Sequence, residues 1–211
     1  MEPSERDPAE RSRRATRMDT LAMVAPTVQH EVNNALMVLN SNLDLLGRSA
    51  VEGPMRRQLD RATEAAKRLD RTTRGLLDVA RRPSADMVTL PLPQVLAQID
   101  PLLRVALGAR IKLEVEAPED LPPVPVDRAR LDVALLAMAR DTAQRHTVAG
   151  GRVAIELRRD AAGATLVLRL PDGVQATPYL LRLFGEVAEA SAGRLSCSED
   201  GTVLTLALPA N

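Results

Sequence analysis

The chain has 211 residues, 45% of them hydrophobic and 27% charged, with one Tyr, one Phe and no Trp. That length holds one large domain or two small ones, and a core so poor in aromatics must be built from Leu, Val and Ala, which leans helical. Basic and acidic residues number 28 each, so no overall charge draws the chain to nucleic acid, and no aromatic platform exists for stacking bases. Cys197 has no second cysteine to pair with, which fits a reducing compartment. No apolar run approaches the ~20 residues that span a bilayer, and the N-terminus lacks the apolar segment of a signal peptide. The expectation is a cytoplasmic protein with neither a membrane nor a nucleic-acid partner.

Residues 1–17 mix Arg with Glu and Asp and contain almost nothing apolar; they read as a flexible extension. A helical pattern follows, with Leu21, Ala25, Val28, Val32, Ala35, Leu36, Leu39, Leu43 and Leu46 recurring at three- and four-residue steps. Gly47 to Pro54 reads as a turn, and a second helix is predicted from Met55 to Arg81. Its stripe is Leu59, Ala62, Ala66, Leu69, Thr73, Leu76 and Ala80, and Pro83 stops it. Two long helices joined by a short turn form an antiparallel hairpin. One hairpin cannot cover both stripes, so residues 18–84 are expected to dimerise into a four-helix bundle.

After Pro83 the pattern changes. Strand-like runs are predicted at Val88–Leu92, Ile111–Ala117, Arg152–Leu157, Thr165–Leu170, Arg194–Cys197 and Val203–Leu208. Helices are predicted at Pro93–Leu107, Arg128–His146 and Pro178–Ala192. The expected fold class is therefore α+β: the hairpin, then a sandwich over residues 85–211 with one sheet covered by helices.

The chemistry concentrates at His30. With 100° per residue and Val28 set at 0°, the apolar stripe centres near ~30° and His30 falls near ~200°, almost opposite. Asn34 lies one turn along on the same side. An exposed imidazole titrates near neutrality and can act as a nucleophile towards phosphorus. Glu31 is placed to hold the far ring nitrogen, and Asn34 to bond a phosphoryl oxygen or orient a water. A lone surface histidine carries no chemistry by itself, but two consecutive asparagines inside a helix are weakly unfavourable. Their place beside His30 and Glu31 points to a constraint other than helix stability.

The run H-E-V-N-N-A-L, His30 to Leu36, resembles the H box of sensor histidine kinases, with Ala35 where that family usually has Pro. The family's dimerisation and phosphotransfer domain is the same dimerised hairpin. Residues Val88 to Pro209 resemble its ATP-binding domain, the Bergerat fold, above all at Val126–Leu136, Gly150–Ile155 and Ser191–Pro209. The resemblance implies that the ATP machinery is degenerate. Where the family's N box has two asparagines, Ala137 and Asp141 stand, with Thr142 after them. Where its first glycine box has D-x-G-x-G, the chain reads L-P-D-G-V-Q, and Asp172-Gly173 there reads best as a turn. Arg182-Leu183-Phe184 is followed by Gly185 and then directly by residues that match the helix beyond the family's lid. The lid and its glycine cradle for phosphate are missing.

A phosphoacceptor without a kinase resembles the dimeric histidine phosphotransferases built from a kinase-like bundle and a degenerate ATP domain. The resemblance implies phosphoryl exchange between receiver-domain aspartates through phospho-His30, with Glu31 and Asn34 assisting. Docking is expected around Asn34, Val38, Ser41 and Asn42 and the facing residues of helix two. The partners implied are response-regulator receiver domains and a hybrid histidine kinase. No cofactor is expected to belong to the chain; Mg²⁺ would come with the receiver. Three alternatives remain open: an ATP-dependent kinase using Asp141 and Asp172, a non-catalytic pseudo-kinase or regulator-binding partner, and a phosphatase acting through Glu31-x-x-Asn34. Two histidines, His30 and His146, and one cysteine make no metal site by spacing.

Overall fold

A computed structural model describes residues 34–48, 53–81, 87–118 and 120–210. The chain divides into two compact units, Met1–Arg81 and Arg82–Asn211.

The first unit is a helical hairpin of α1, over 34–48, and α2, Pro54–Arg81. Helix α1 continues through Gly47 and 48, where the sequence predicts a turn already under way. The Gly47 carbonyl, left over at the helix end, accepts a bond of 2.6 Å from Arg56 Nη1 of α2. One face of α1, carrying Leu36, Asn40, Leu43 and Gly47, is turned away from solvent, as is the face of α2 carrying Leu59, Thr63, Ala66, Asp70, Thr73 and Leu77. These positions recur every three or four residues and form the seam between the helices. Arginines of α2 pair with acidic residues of the same helix. Arg56 pairs with Asp60, Arg71 with Glu64 and Arg74 with Asp70, all with exposed arginines. Each pair contributes at most about 1 kcal/mol.

The second unit is a two-layer sandwich. Its main sheet has the order β2-β4-β5-β7-β6, built from β2 (Ile111–Glu116), β4 (Gly151–Arg159), β5 (Gly163–Arg169), β7 (Val203–Pro209) and β6 (Arg194–Cys197). Strands β2 and β4 run parallel and the rest antiparallel. Alternate residues point to one face, where Leu113, Ile155, Leu168 and Leu206 are all buried. Helices α3 (Leu92–Leu107), α4 (Arg128–Arg145) and α5 (Pro178–Ala190) contribute the apolar residues that complete this core. Seven buried residues of α3, from Leu92 to Leu107, and the fully buried Leu135, Met138 and Phe184 dominate it.

Two expectations need correcting. A second small sheet exists, in which β1 (Met87–Leu90) pairs antiparallel with β3 (Val124–Asp127), a strand the sequence does not announce. Leu92 belongs to α3 rather than to a strand, with Pro91 preceding it as the N-cap. Asp127 ends β3 and caps α4, its side chain accepting from Arg130 N at 3.1 Å. Next to it lies an ion pair that is wholly buried. Arg128 Nε donates to Asp132 Oδ1 at 2.9 Å, and Arg128 Nη2 reaches the Val95 carbonyl of α3 at 3.3 Å. Removing one partner of such a pair costs about 3–5 kcal/mol, because a charge is left in a dry core.

Candidate functional site

His30 and Glu31 lie outside the described residues. Helix α1 opens at Asn34, four residues beyond His30 in the sequence, and carries the other proposed site residues. Asn34, Val38, Ser41 and Asn42 are all exposed. With Leu36 as the reference at 0° and 100° per residue, they fall between about 140° and 240°, on the side away from the α2 seam. The Asn42 amide donates to the Val38 carbonyl at 2.9 Å, which holds its side chain along the helix. Leu45, at about 180°, lies within this span and Met37, at about 100°, flanks it; they are 61% and 62% exposed, beside Val38 at 57%. The sequence reading did not assign them to the surface for a partner. Their signal was available: they are apolar residues outside the core stripe, spaced with Asn34 and Ser41 at helical steps. The arrangement is a mixed surface, with amide and hydroxyl groups interleaved with three exposed aliphatic side chains, suited to a protein partner rather than to a small polar ligand.

The second unit places the residues aligned with the nucleotide motifs as follows. Ala137 and Asp141 are half-buried on α4, Thr142 is buried, and Asp172 is exposed on the 171–177 loop. Asp141 is already engaged: its Oδ2 is 3.3 Å from Arg145 Nη1. The same nitrogen donates to the Gln175 carbonyl at 2.6 Å. Helix α5 runs unbroken from Pro178 to Ala190, so Arg182-Leu183-Phe184, Gly185 and Glu186–Ala190 lie on one continuous helix. No loop departs from Gly185, the point at which the resemblance puts the lid.

A broad concavity of about 1090 Å³ lies over the outward face of the main sheet, lined by Lys112, Glu114, Arg152, Glu156, Arg169 and Asp172 among others. Some of its charges are paired. Glu114 lies 2.8 Å from Lys112 and 3.3 Å from Arg152, and Glu156 lies 2.6 Å from Arg158. The hydrogen bonds from Lys112 and from Arg158 hold the Glu114 and Glu156 carboxyls below the usual carboxylate range. This is a solvated, partly neutralised sheet face. Among the described residues no group of three or more His, Cys, Asp or Glu could hold a metal ion, and no described helix is long and apolar enough to cross a membrane.

No protein-family model matches the chain. It is similar to full-length ShkA in complex with AMPPNP, at 18% identity and a TM-score of 0.43, over 89% of this chain and 46% of that one. It is also similar to the histidine kinase AdeS of Acinetobacter baumannii, at 15% identity and a TM-score of 0.47, over 86% of this chain and 98% of that one. A third similarity is to the histidine kinase ThkA in complex with the response regulator protein TrrA, at 15% identity and a TM-score of 0.43. It covers 96% of this chain and 66% of that one. The chain thus spans less than half the length of ShkA.

Proposed function

We propose that the chain is a dimeric histidine phosphotransferase of a two-component phosphorelay, carrying a phosphoryl group between receiver-domain aspartates through His30. The observation that carries the reading is the sequence run H-E-V-N-N-A-L, whose last three residues open α1, in a chain whose α5 is continuous across Gly185. A donor of phosphate other than the chain's own second unit is then required, and an aspartyl phosphate on a receiver has the chemistry. The acyl phosphate's P–O bond breaks, an N–P bond forms on a neutral imidazole nitrogen, and the carboxylate stays with the receiver; return transfer reverses each step. Glu31 would hold the other ring nitrogen. Asn34 would meet a phosphoryl oxygen, and the receiver would bring Mg²⁺. The exposed surface of Asn34, Met37, Val38, Ser41, Asn42 and Leu45 is the proposed receiver dock, with a hybrid histidine kinase as the proposed source of phosphate.

The homodimer in this proposal is supported by a second apolar stripe. Leu39, Leu46, Leu69 and Leu76 are 42%, 57%, 54% and 57% exposed in the single chain. They repeat at seven residues on each helix, and Ala62 extends the series on α2. On both helices the stripe stands about 80° from the seam in the same rotational sense. Because the helices are antiparallel, both stripes turn to the same side of the hairpin. A second copy can cover that side.

The test is incubation with receivers phosphorylated beforehand. Wild type takes up acid-labile, base-stable label, as a phosphoramidate does, while His30→Ala and His30→Gln take up none and remain dimeric. Label on His30→Ala at the wild-type rate would overturn the proposal. Loss of receiver phosphate with no label on the chain would favour the phosphatase reading through Glu31 and Asn34 instead.

A further inference from the structure

The geometry points to Arg145 as a built-in strap that fastens the 171–177 loop to the end of α4. The loop is fastened on two sides. On one side the bonds are all backbone: Ala176 N donates to the Gly201 carbonyl at 2.7 Å and Leu170 N to the Thr202 carbonyl at 2.9 Å. These tie the loop to the turn between β6 and β7. Within it, Val174 N bonds the Pro171 carbonyl at 3.0 Å, and Val174 is buried beneath. On the other side a single side chain makes the attachment. Arg145 Nη1 reaches the Gln175 carbonyl at 2.6 Å while standing 3.3 Å from the Asp141 carboxylate.

The residue type suits the task. A guanidinium presents five donors in a rigid plane, so it can serve a carbonyl and a carboxylate together. Arg145 is the last residue of α4, where the unsatisfied carbonyls favour a positive charge. The helix closes there through His146 N on the Thr142 carbonyl at 2.8 Å. The strap also acts on the next element. Two residues beyond Gln175, Thr177 caps α5, its Oγ1 accepting from Leu180 N at 3.3 Å. Holding Gln175 therefore adds a tie close to the start of α5, a helix that also packs directly on α4. Asp141, half-buried on α4, has its charge answered from within the same helix.

Hydrogen exchange on the full chain tests this separately from any phosphoryl chemistry, since neither variant touches α1. In Arg145→Ala, amides of residues 172–177 are expected to exchange about tenfold faster than in wild type, the loss of one charge-assisted bond. Amides of β4 and β5 should keep their wild-type rates. Asp141→Asn leaves the bond to Gln175 and should accelerate the same amides less. The strap is overturned if the loop exchanges at the wild-type rate in Arg145→Ala, or if the whole sheet speeds up with it. It is also overturned if Asp141→Asn has the larger effect, because Asp141 would then act other than through Arg145.

Discussion

The hairpin and the sandwich place their leucines in opposite ways. In the sandwich, the strands point Leu113, Leu166, Leu168, Leu204, Leu206 and Leu208 to one face and three helices bury them all. In the hairpin, Leu36 and Leu77 are buried while Leu39, Leu46, Leu69 and Leu76 stand in solvent. Buried apolar area is the main favourable term in folding, at about 25 cal/mol per Å². The sandwich therefore satisfies itself within one chain, whereas the hairpin leaves an apolar stripe that the proposed second copy would cover. The exposed side of α1 then divides in two: an apolar stripe suited to a permanent partner, and a mixed surface around Asn34 and Ser41 suited to a transient one.

The largest expected effect falls on the hairpin. Leu39→Asp combined with Leu69→Asp puts four carboxylates into the proposed dimer core, where unpaired charges are strongly disfavoured. Sedimentation velocity at micromolar concentration should give a dimer for wild type and monomer for the double variant, with reduced helicity. A wild-type monomer would remove the bundle and with it the contrast between the two units.

A smaller, purely internal effect is expected from the sandwich. Phe184 is completely buried on α5, and Phe184→Ala should cost about 3–5 kcal/mol, from lost burial plus the cavity left behind. Urea unfolding followed by a probe confined to the sheet would read it. A loss below about 1 kcal/mol would mean that α5 repacks freely, and that the sandwich is less complete than its burial pattern implies.

The sequence made some of this legible and hid other parts for physical reasons. Helix α2 was readable because its apolar residues recur with helical period over 28 residues. The strands of the main sheet were readable through their Val, Ile and Leu content. The hairpin's two faces were not separable by eye: Leu36, Leu39, Leu43 and Leu46 form one stripe in a list of spacings. Only the burial of Leu36 and the exposure of Leu39 and Leu46 divide seam from outer stripe. Strand β3 was hidden by Pro122, Pro123 and Pro125, which read as loop; a two-stranded ribbon with Pro125 opposite Thr89 tolerates them at its edge. The buried Arg128–Asp132 pair had no signal at all, since an i,i+4 pair of opposite charge on a helix normally faces water. At the candidate site the motif itself was legible. The strap by Arg145 was not, because it joins residues 30 positions apart through a carbonyl that any residue would supply.

The smallest effect concerns acid, and it again belongs to the self-contained half. Asp200, in the turn between β6 and β7, accepts from Ser198 Oγ at 2.6 Å, from Thr202 N at 3.0 Å and from Thr202 Oγ1 at 2.9 Å. The Ser198 bond first, and then those from Thr202, hold its carboxyl below the usual aspartate range. A folded-state pKa below the unfolded one means the unfolded chain binds the proton more readily. The stabilisation is therefore fully present above the unfolded value near ~4 and is lost as pH falls through the depressed folded value. Asp200→Asn removes this titration, so the melting temperature of the sandwich should fall less steeply in the variant than in wild type below about pH 4. The two should run parallel above about pH 6. The group is solvent-exposed, so the difference in slope should be slight. Its position matters more: this turn supplies the Gly201 and Thr202 carbonyls that anchor the 171–177 loop. If acid loosens the turn, exchange at Ala176 should rise before exchange in β4 and β5 does. Simultaneous loss across the sheet would mean that the turn and the sheet unfold as one cooperative unit.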